Sequence, residues 1–289
     1  MNPTCIYFFV CSGAFSGKLL YSNSISIIEF DIETRNTTVL VNQVQSIVFA
    51  LDYDYTNRYV YLPRFDKFDI VRFPYPSTNR KLQVIVETDP HPTGIAVDSV
   101  NEHIYWITYG ELSRSNLDGT NVKTVSTSLR VPRVIQLDVT NSWMYIVEEN
   151  VGISKSRFDV SEKQTIVKFT STPVRCMTID TEEHRVYWIN NDSIMTSAKD
   201  DGSDVKTQFS TNIARSYLGI DVVGRYIYYH TYNQLLMVNK APGSTPIVLF
   251  NDTSEINSLF VFNQSGNVGI KVEIDVTSSA STIFDLQHS

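Results

Sequence analysis

Pro92 to Ser128 reads PTGIAVDSVNEHIYWITYGELSRSNLDGTNVKTVSTS, and this stretch decides the fold. Four short runs rich in alternating and β-branched residues stand in it: Gly94–Asp98, His103–Ile107, Glu111–Ser115 and Val122–Ser126. The clusters between them, Ser99-Val100-Asn101-Glu102, Tyr109-Gly110 and Asp118-Gly119-Thr120-Asn121, are turn formers. Each run is therefore expected to be a strand joined to the next by a tight hairpin. Four antiparallel strands of this length make one small sheet that cannot bury both of its faces alone. It needs copies of itself.

The rest of the chain supplies them. An Asp closes the first strand of each unit at Asp54, Asp98, Asp138, Asp180 and Asp221, at intervals of 44, 40, 42 and 41 residues. Seven residues after each Asp stands a Tyr: Tyr61, Tyr105, Tyr145, Tyr187 and Tyr228. Late in most units comes an acidic or Gly turn, as in Leu117-Asp118-Gly119-Thr120, Phe158-Asp159-Val160, Asp200-Asp201-Gly202-Ser203 and Ala241-Pro242-Gly243-Ser244. A period near forty made wholly of strands predicts the blades of a propeller rather than a helical solenoid.

Five units cover residues 47–256, and the two ends supply a sixth. Leu19-Leu20-Tyr21-Ser22 has the pattern of a second strand with no first strand before it. Ile256 to Asn263 has the pattern of a first strand with no second strand after it. Joining them closes the ring and removes the open edges of a linear array. The expected fold is all-β, a six-bladed β-propeller of four-stranded antiparallel blades, with its seam between Asn263 and Lys18.

The repeating Asp is expected to accept hydrogen bonds from backbone N–H groups in the turn that follows it. Tyr105-Trp106 and Tyr187-Trp188 are large enough to fill the wedge between neighbouring blades. Residues that recur in every blade serve the fold rather than a single active centre.

Gly94-Ile95-Ala96-Val97-Asp98, Ile104-Tyr105-Trp106-Ile107-Thr108 and Leu117-Asp118-Gly119-Thr120 together resemble a YWTD blade of the low-density lipoprotein receptor family. The resemblance spans about residues 18–263, closure of the sixth blade by a C-terminal strand included. It implies an extracellular propeller that binds proteins and has no catalytic activity. The final Asp of the tetrad is missing throughout, its place taken by Asn23, Arg64, Thr108, Glu148, Asn190 and Thr231. The polar contacts between blades that the resemblance implies there must differ in this chain. Asn263 to Ser289 holds no Cys and so no flanking EGF-like module. The expectation is a divergent solitary propeller or a fragment of a larger protein.

Composition agrees. The chain has 289 residues, 42% of them hydrophobic, with 16 Tyr and 15 Phe, enough for a large strand-rich core. A net charge of −7 argues against nucleic acid or an anionic membrane surface as partner. Residues 1–16 carry no charge and hold the apolar run Cys5 to Cys11. They read as a secretory signal without the usual basic start, with an ordinary first strand as the competing reading. No later run approaches the roughly 18 apolar residues of a membrane span. The domains are then 1–16, a signal; 17–265, the propeller; and 266–289, a tail rich in Ser, Thr and Val. A cut after the signal leaves Cys176 as the single thiol, in a core strand where inert burial is expected. Sequons at Asn36, Asn191, Asn251 and Asn263 are acceptors for glycosylation in a secreted protein.

No catalytic motif is present: no G-x-S-x-G, H-E-x-x-H, P-loop or C-x-x-C. The five histidines are scattered, and no cofactor or metal is called for. If the first strand runs down the channel and the second returns, the loops between strands two and three share one face with the connections between blades. That face is expected to hold an unidentified protein ligand through Arg64, Phe65, His91, Tyr109, Glu111, Glu148, Glu149 and Tyr232, a mixture of aromatic and charged groups. Asp66, Lys67, Thr108, Arg133, Arg175, Asn191, Asp192, Arg215 and Asn233 stand around them. Two other readings remain open. One is a six-bladed propeller hydrolase with a metal over the central channel, for which Glu148, Asn190 and Asn191 come nearest to an oxygen-rich set. The other is a secreted matrix or structural protein.

Overall fold

The structure, a computed structural model, describes residues 17–149, 151–169, 174–211 and 219–262. Residues 1–16, the tail beyond residue 262 with Asn263, and Arg215 lie outside it, as does the side chain of Arg175. Six four-stranded antiparallel sheets are arranged as a six-bladed β-propeller. Blade one consists of Asp52–Asp54, Tyr59–Arg64, Asp69–Pro74 and Gln83–Glu87. Blade two consists of Gly94–Asp98, His103–Ile107, Leu112–Asn116 and Lys123–Ser126. Blades three to five repeat the pattern from Pro132, Val174 and Ile220. In blade six Ile256–Val261 is the inner strand, paired antiparallel with Lys18–Asn23, and Ile27–Asp31 and Thr37–Val41 complete the sheet.

The adjacent Tyr and Trp of the second strand explain how the ring holds. Successive side chains of a strand point to opposite faces, so the two rings of one blade serve two different neighbours. Tyr105 packs with Ile135, Met144 and Ile146 of blade three, whereas Trp106 packs with Tyr61, Ile70 and Val86 of blade one. Tyr187 packs towards blade five and Trp188 towards blade three. Six core clusters result, one for each junction between blades. Polar ties cross the same junctions: the Tyr61 hydroxyl donates to Leu117 O at 2.9 Å, and Lys155 Nζ to Asp200 Oδ2 at 2.8 Å.

Four of the repeating aspartates cap the turn after the inner strand. Asp98 Oδ1 accepts from the N–H groups of Val100 (3.2 Å) and Asn101 (3.0 Å), and Oδ2 from Asn101 Nδ2 (2.7 Å). Asp54 makes the same three contacts with Thr56 and Asn57, Asp138 two of them with Asn141, and Asp180 accepts from Glu182 N and Glu183 N. Asp221 does not belong to this set. It pairs in register with Tyr228, whereas Tyr105 pairs with Ala96, two residues before its Asp. The hairpin of blade five closes at Val223 opposite Tyr226, with only Gly224 and Arg225 between. Val223 therefore holds the capping position and the shorter turn needs no cap. Asp221 instead corresponds to Asp52, and both reach out to the next blade: Asp52 Oδ2 accepts from Val97 N at 2.7 Å and Asp221 Oδ2 from Val261 N at 2.8 Å.

Candidate functional site

The connections between blades and the loops between strands two and three surround one mouth of the central channel. A cavity of about 150 Å³ opens there, lined by all six blades and including Phe49, Phe65, Arg133, Cys176 and Asn257. Burial pushes the Cys176 thiol up to about 12, so it is no nucleophile, and it is a packing residue.

Blade one builds a densely cross-linked part of this face. A single 3-10 turn, Phe65–Lys67, follows Arg64, and Phe68 ends it in the left-handed region. Arg64 straps the loop base to Asp69 through two parallel contacts of 2.8 and 2.5 Å. Asp66 binds the preceding linker: its Oδ2 accepts from Ile47 N, and its own N–H donates to Ser46 Oγ. Phe65 is thereby held between Phe49, edge-on at 5.3 Å, and His91, stacked at 4.2 Å. Phe68 stacks on His91 at 4.1 Å. His91 Nδ1 lies 2.7 Å from Phe65 O, and a carbonyl can only accept, so Nδ1 carries the proton. Four rings form one clamp.

Around the mouth stand large apolar side chains turned to solvent: Ile25 (52% exposed) on blade six, Phe68 (40%) on blade one, Tyr109 (74%) on blade two and Tyr232 (48%) on blade five. Tyr109 is thrust out by its turn, which Thr108 N closes onto Glu111 O while Gly110 takes φ +89°. The four occupy consecutive blades five, six, one and two. Ile25, Ile47, Phe49 and Phe68 were not singled out from the sequence, although an apolar residue inside a hairpin turn, as in Asn23-Ser24-Ile25-Ser26, is the signal that marks Ile25 and Phe68.

The acidic residues expected on this face are differently placed. Glu148 is 2% exposed and surrounded, accepting from Arg130 N (2.8 Å), Ser154 Oγ (3.3 Å) and Lys163 Nζ (2.5 Å). It belongs to the interior and not, as the sequence suggested, among the residues open to a ligand. It does bind the linker between blades two and three, which answers for the tetrad Asp missing at that position. Glu149 is paired with Arg133 by contacts of 2.9 and 2.5 Å at the channel mouth. Glu111 accepts from Ser113 Oγ and Thr124 Oγ1. Asn190 Oδ1 accepts from Ile194 N inside its own turn, so Glu148 and Asn190 do not converge over the channel. Among the described residues no three His, Cys, Asp or Glu side chains gather as a metal site. His230, fully buried, accepts from Gly219 N through Nε2, and its Nδ1 lies 2.8 Å from Thr231 O.

Blade architecture, closure by the C-terminal strand and the Tyr/Trp packing define the class: a six-bladed β-propeller, whose blades are similar to the YWTD blades of the low-density lipoprotein receptor family. No family model matches the sequence. Protein cueball of Drosophila grimshawi is 31% identical over 106 residues, 34% of this chain and 17% of that protein. The vitellogenin receptor of Solenopsis invicta is 23% identical over 221 residues, 72% of this chain and 12% of that protein. The chain thus spans less than a fifth of the length of these relatives. Its fold is similar to that of a chain in the solved nidogen/laminin complex, with a TM-score of 0.74 over 84% of this chain and 97% of that one at 16% identity.

Proposed function

We propose that this chain is a non-catalytic extracellular protein-binding module whose ligand seats on the loop face, across the channel mouth. The observation that carries this reading is the arc of exposed Ile25, Phe68, Tyr109 and Tyr232 on four consecutive blades, backed by the Phe49–Phe65–His91 clamp. Aromatic anchors on a rigid base, with their neighbouring charges already paired, are the composition of interface hot spots. The Arg64–Asp69 and Arg133–Glu149 pairs keep that base rigid. A receptor and a complex between two proteins among the similar chains agree with it.

Extracellular use is also supported by exposed sequons at Asn36 and Asn251, while Asn191 is half-buried. Asn251 follows Tyr232 closely in space, since Asp252 N donates to Asn233 O, so a glycan there would flank the ligand face. In a test, wild-type protein and a Phe68→Ser/Tyr109→Ser/Tyr232→Ser variant are immobilised and exposed to extracellular fluid. A partner retained by wild type and lost at least tenfold by the variant is the expected result. Equal retention would move the site off this face.

A further inference from the structure

The face opposite the loop face, where the inner strands turn back, is closed unevenly. In blades one to four, four residues join the inner strand to the second strand, at 55–58, 99–102, 139–142 and 181–184. A turn of that length reaches its neighbour: Tyr55 N of blade one donates to Ser99 Oγ of blade two at 3.2 Å. Blade five has only Gly224 and Arg225 at this place. Blade six has no hairpin there, because its inner and second strands come from opposite ends of the chain.

A groove of about 320 Å³ opens between these two blades. Ile32, Val223 and Tyr226, all half-buried, line it together with Phe262. The first three pack only partly against the core of this junction. A Cβ on Gly224 would meet nothing within 4 Å, so the space that a longer turn fills in the other blades is left open here. The groove follows from two local features, a hairpin shortened by two residues and a blade assembled from the two chain ends.

Phe262, the last described residue before the tail, stands in the wall of this groove. Asn263-Gln264-Ser265-Gly266-Asn267 follows it, a run of turn formers. Next comes Val268-Gly269-Ile270-Lys271-Val272-Glu273-Ile274-Asp275-Val276, in which five β-branched residues alternate with Gly and three charged ones. That is the period of a strand with one apolar and one polar face. Such a strand is not stable alone and needs an apolar surface to carry it.

We propose that Val268–Val276 folds back from Phe262 and lays its β-branched face in the groove between blades five and six, covering the seam of the propeller. The linker of five residues reaches up to about 18 Å, which is ample for a reversal over a groove that begins at Phe262 itself. Lys271, Glu273 and Asp275 then face water.

Hydrogen exchange read by mass spectrometry on the full chain tests this, with wild type, Val272→Asp/Ile274→Asp and Val223→Asp compared. In wild type the amides of 268–276 should exchange at least tenfold more slowly than an unstructured chain. Both variants should lose that protection, and Val272→Asp/Ile274→Asp should also speed exchange at 223–228. Exchange of 268–276 at the unstructured rate in wild type would overturn the proposal. Protection that persists in Val223→Asp would place the segment on another surface, and protection lost on dilution would place it on a second copy. Unchanged exchange at 223–228 in Val272→Asp/Ile274→Asp would mean that something else, such as residues 1–16, covers the groove. If Val223→Asp does not fold, Val272→Asp/Ile274→Asp, whose changes lie outside the described core, decides the question.

Discussion

At the residue scale, two glycines of the same conformation separate backbone strain from steric fit. Gly119 and Gly243 both sit in turns between third and fourth strands, at φ +86° and +79°. A Cβ on Gly119 would lie 1.9 Å from Ile85 O on the outer strand of blade one, whereas a Cβ on Gly243 would meet nothing within 4 Å. Gly243→Ala is therefore expected to cost about 1 kcal/mol, the price of a left-handed Ala. Gly119→Ala should cost about 3 kcal/mol or more because the turn must also move off blade one. Urea unfolding of the two variants measures the difference, and equal losses would contradict the close approach.

Asp52 and Asp221 make a different residue-scale case, since both carboxylates stand on the channel wall and hold a neighbouring inner strand. Burial pushes Asp52 up to about 7, with Asp221 and Asp54 adding to it, and pushes Asp221 up to about 6. Their unfolded values lie near 3.9. The folded state thus holds protons that the unfolded chain has already released, so these groups favour folding as pH falls from about 7 towards 4. Wild type should melt higher at pH 5 than at pH 8, and Asp52→Asn/Asp221→Asn should lose most of that gain. An unchanged pH profile in the double variant would show that the titration lies elsewhere.

At the element scale, the blade is a unit that exports its side chains. The Asp-Gly turn of blade two rests on the outer strand of blade one, and Gly202 of blade four rests in the same way on Ile166 O of blade three, 2.0 Å from where a Cβ would stand. These turns cover strand edges that would otherwise present unpaired backbone groups. Blade six reaches back similarly through Arg35, whose Nη1 donates to Leu249 O at 2.8 Å. The strands of blade two were legible to within a residue or so from Pro92–Ser128, because period-two alternation and turn residues are local signals. The inner strand of blade one was less so: only Asp52–Asp54 is a strand, although Ala50 and Leu51 continue its pattern.

At the scale of the whole molecule, stability depends on closure. Ile256–Val261 is the inner strand of blade six, and Leu259 and Val261 pack in the core with Tyr21 and Phe30 from the other end of the chain. Ser22 Oγ lies 2.6 Å from Ser258 Oγ, a tie across 236 residues. Ending the chain at Glu255 should expose the edge of Lys18–Asn23 and open the junction to blade five. The expected result is loss of a single cooperative melting transition and self-association in size-exclusion chromatography. A monomeric, cooperatively melting product would show that five blades suffice.

The amino-acid sequence by itself determined the number of blades, their antiparallel order and the joining of the two ends, because the repeat is written in short-range patterns copied along the chain. It also indicated the loop face, since strand direction follows from counting hairpins. Which loop residues reach solvent was decided only in three dimensions. Glu148 looked like a surface acid but is enclosed by Arg130, Ser154 and Lys163. Asp221 kept the seven-residue spacing while its hairpin lost two residues. The aromatic clamp joins Phe49, Phe65 and His91 from three separate loops. Partners some forty residues apart are brought together by the angle between blades, and no local pattern records that angle.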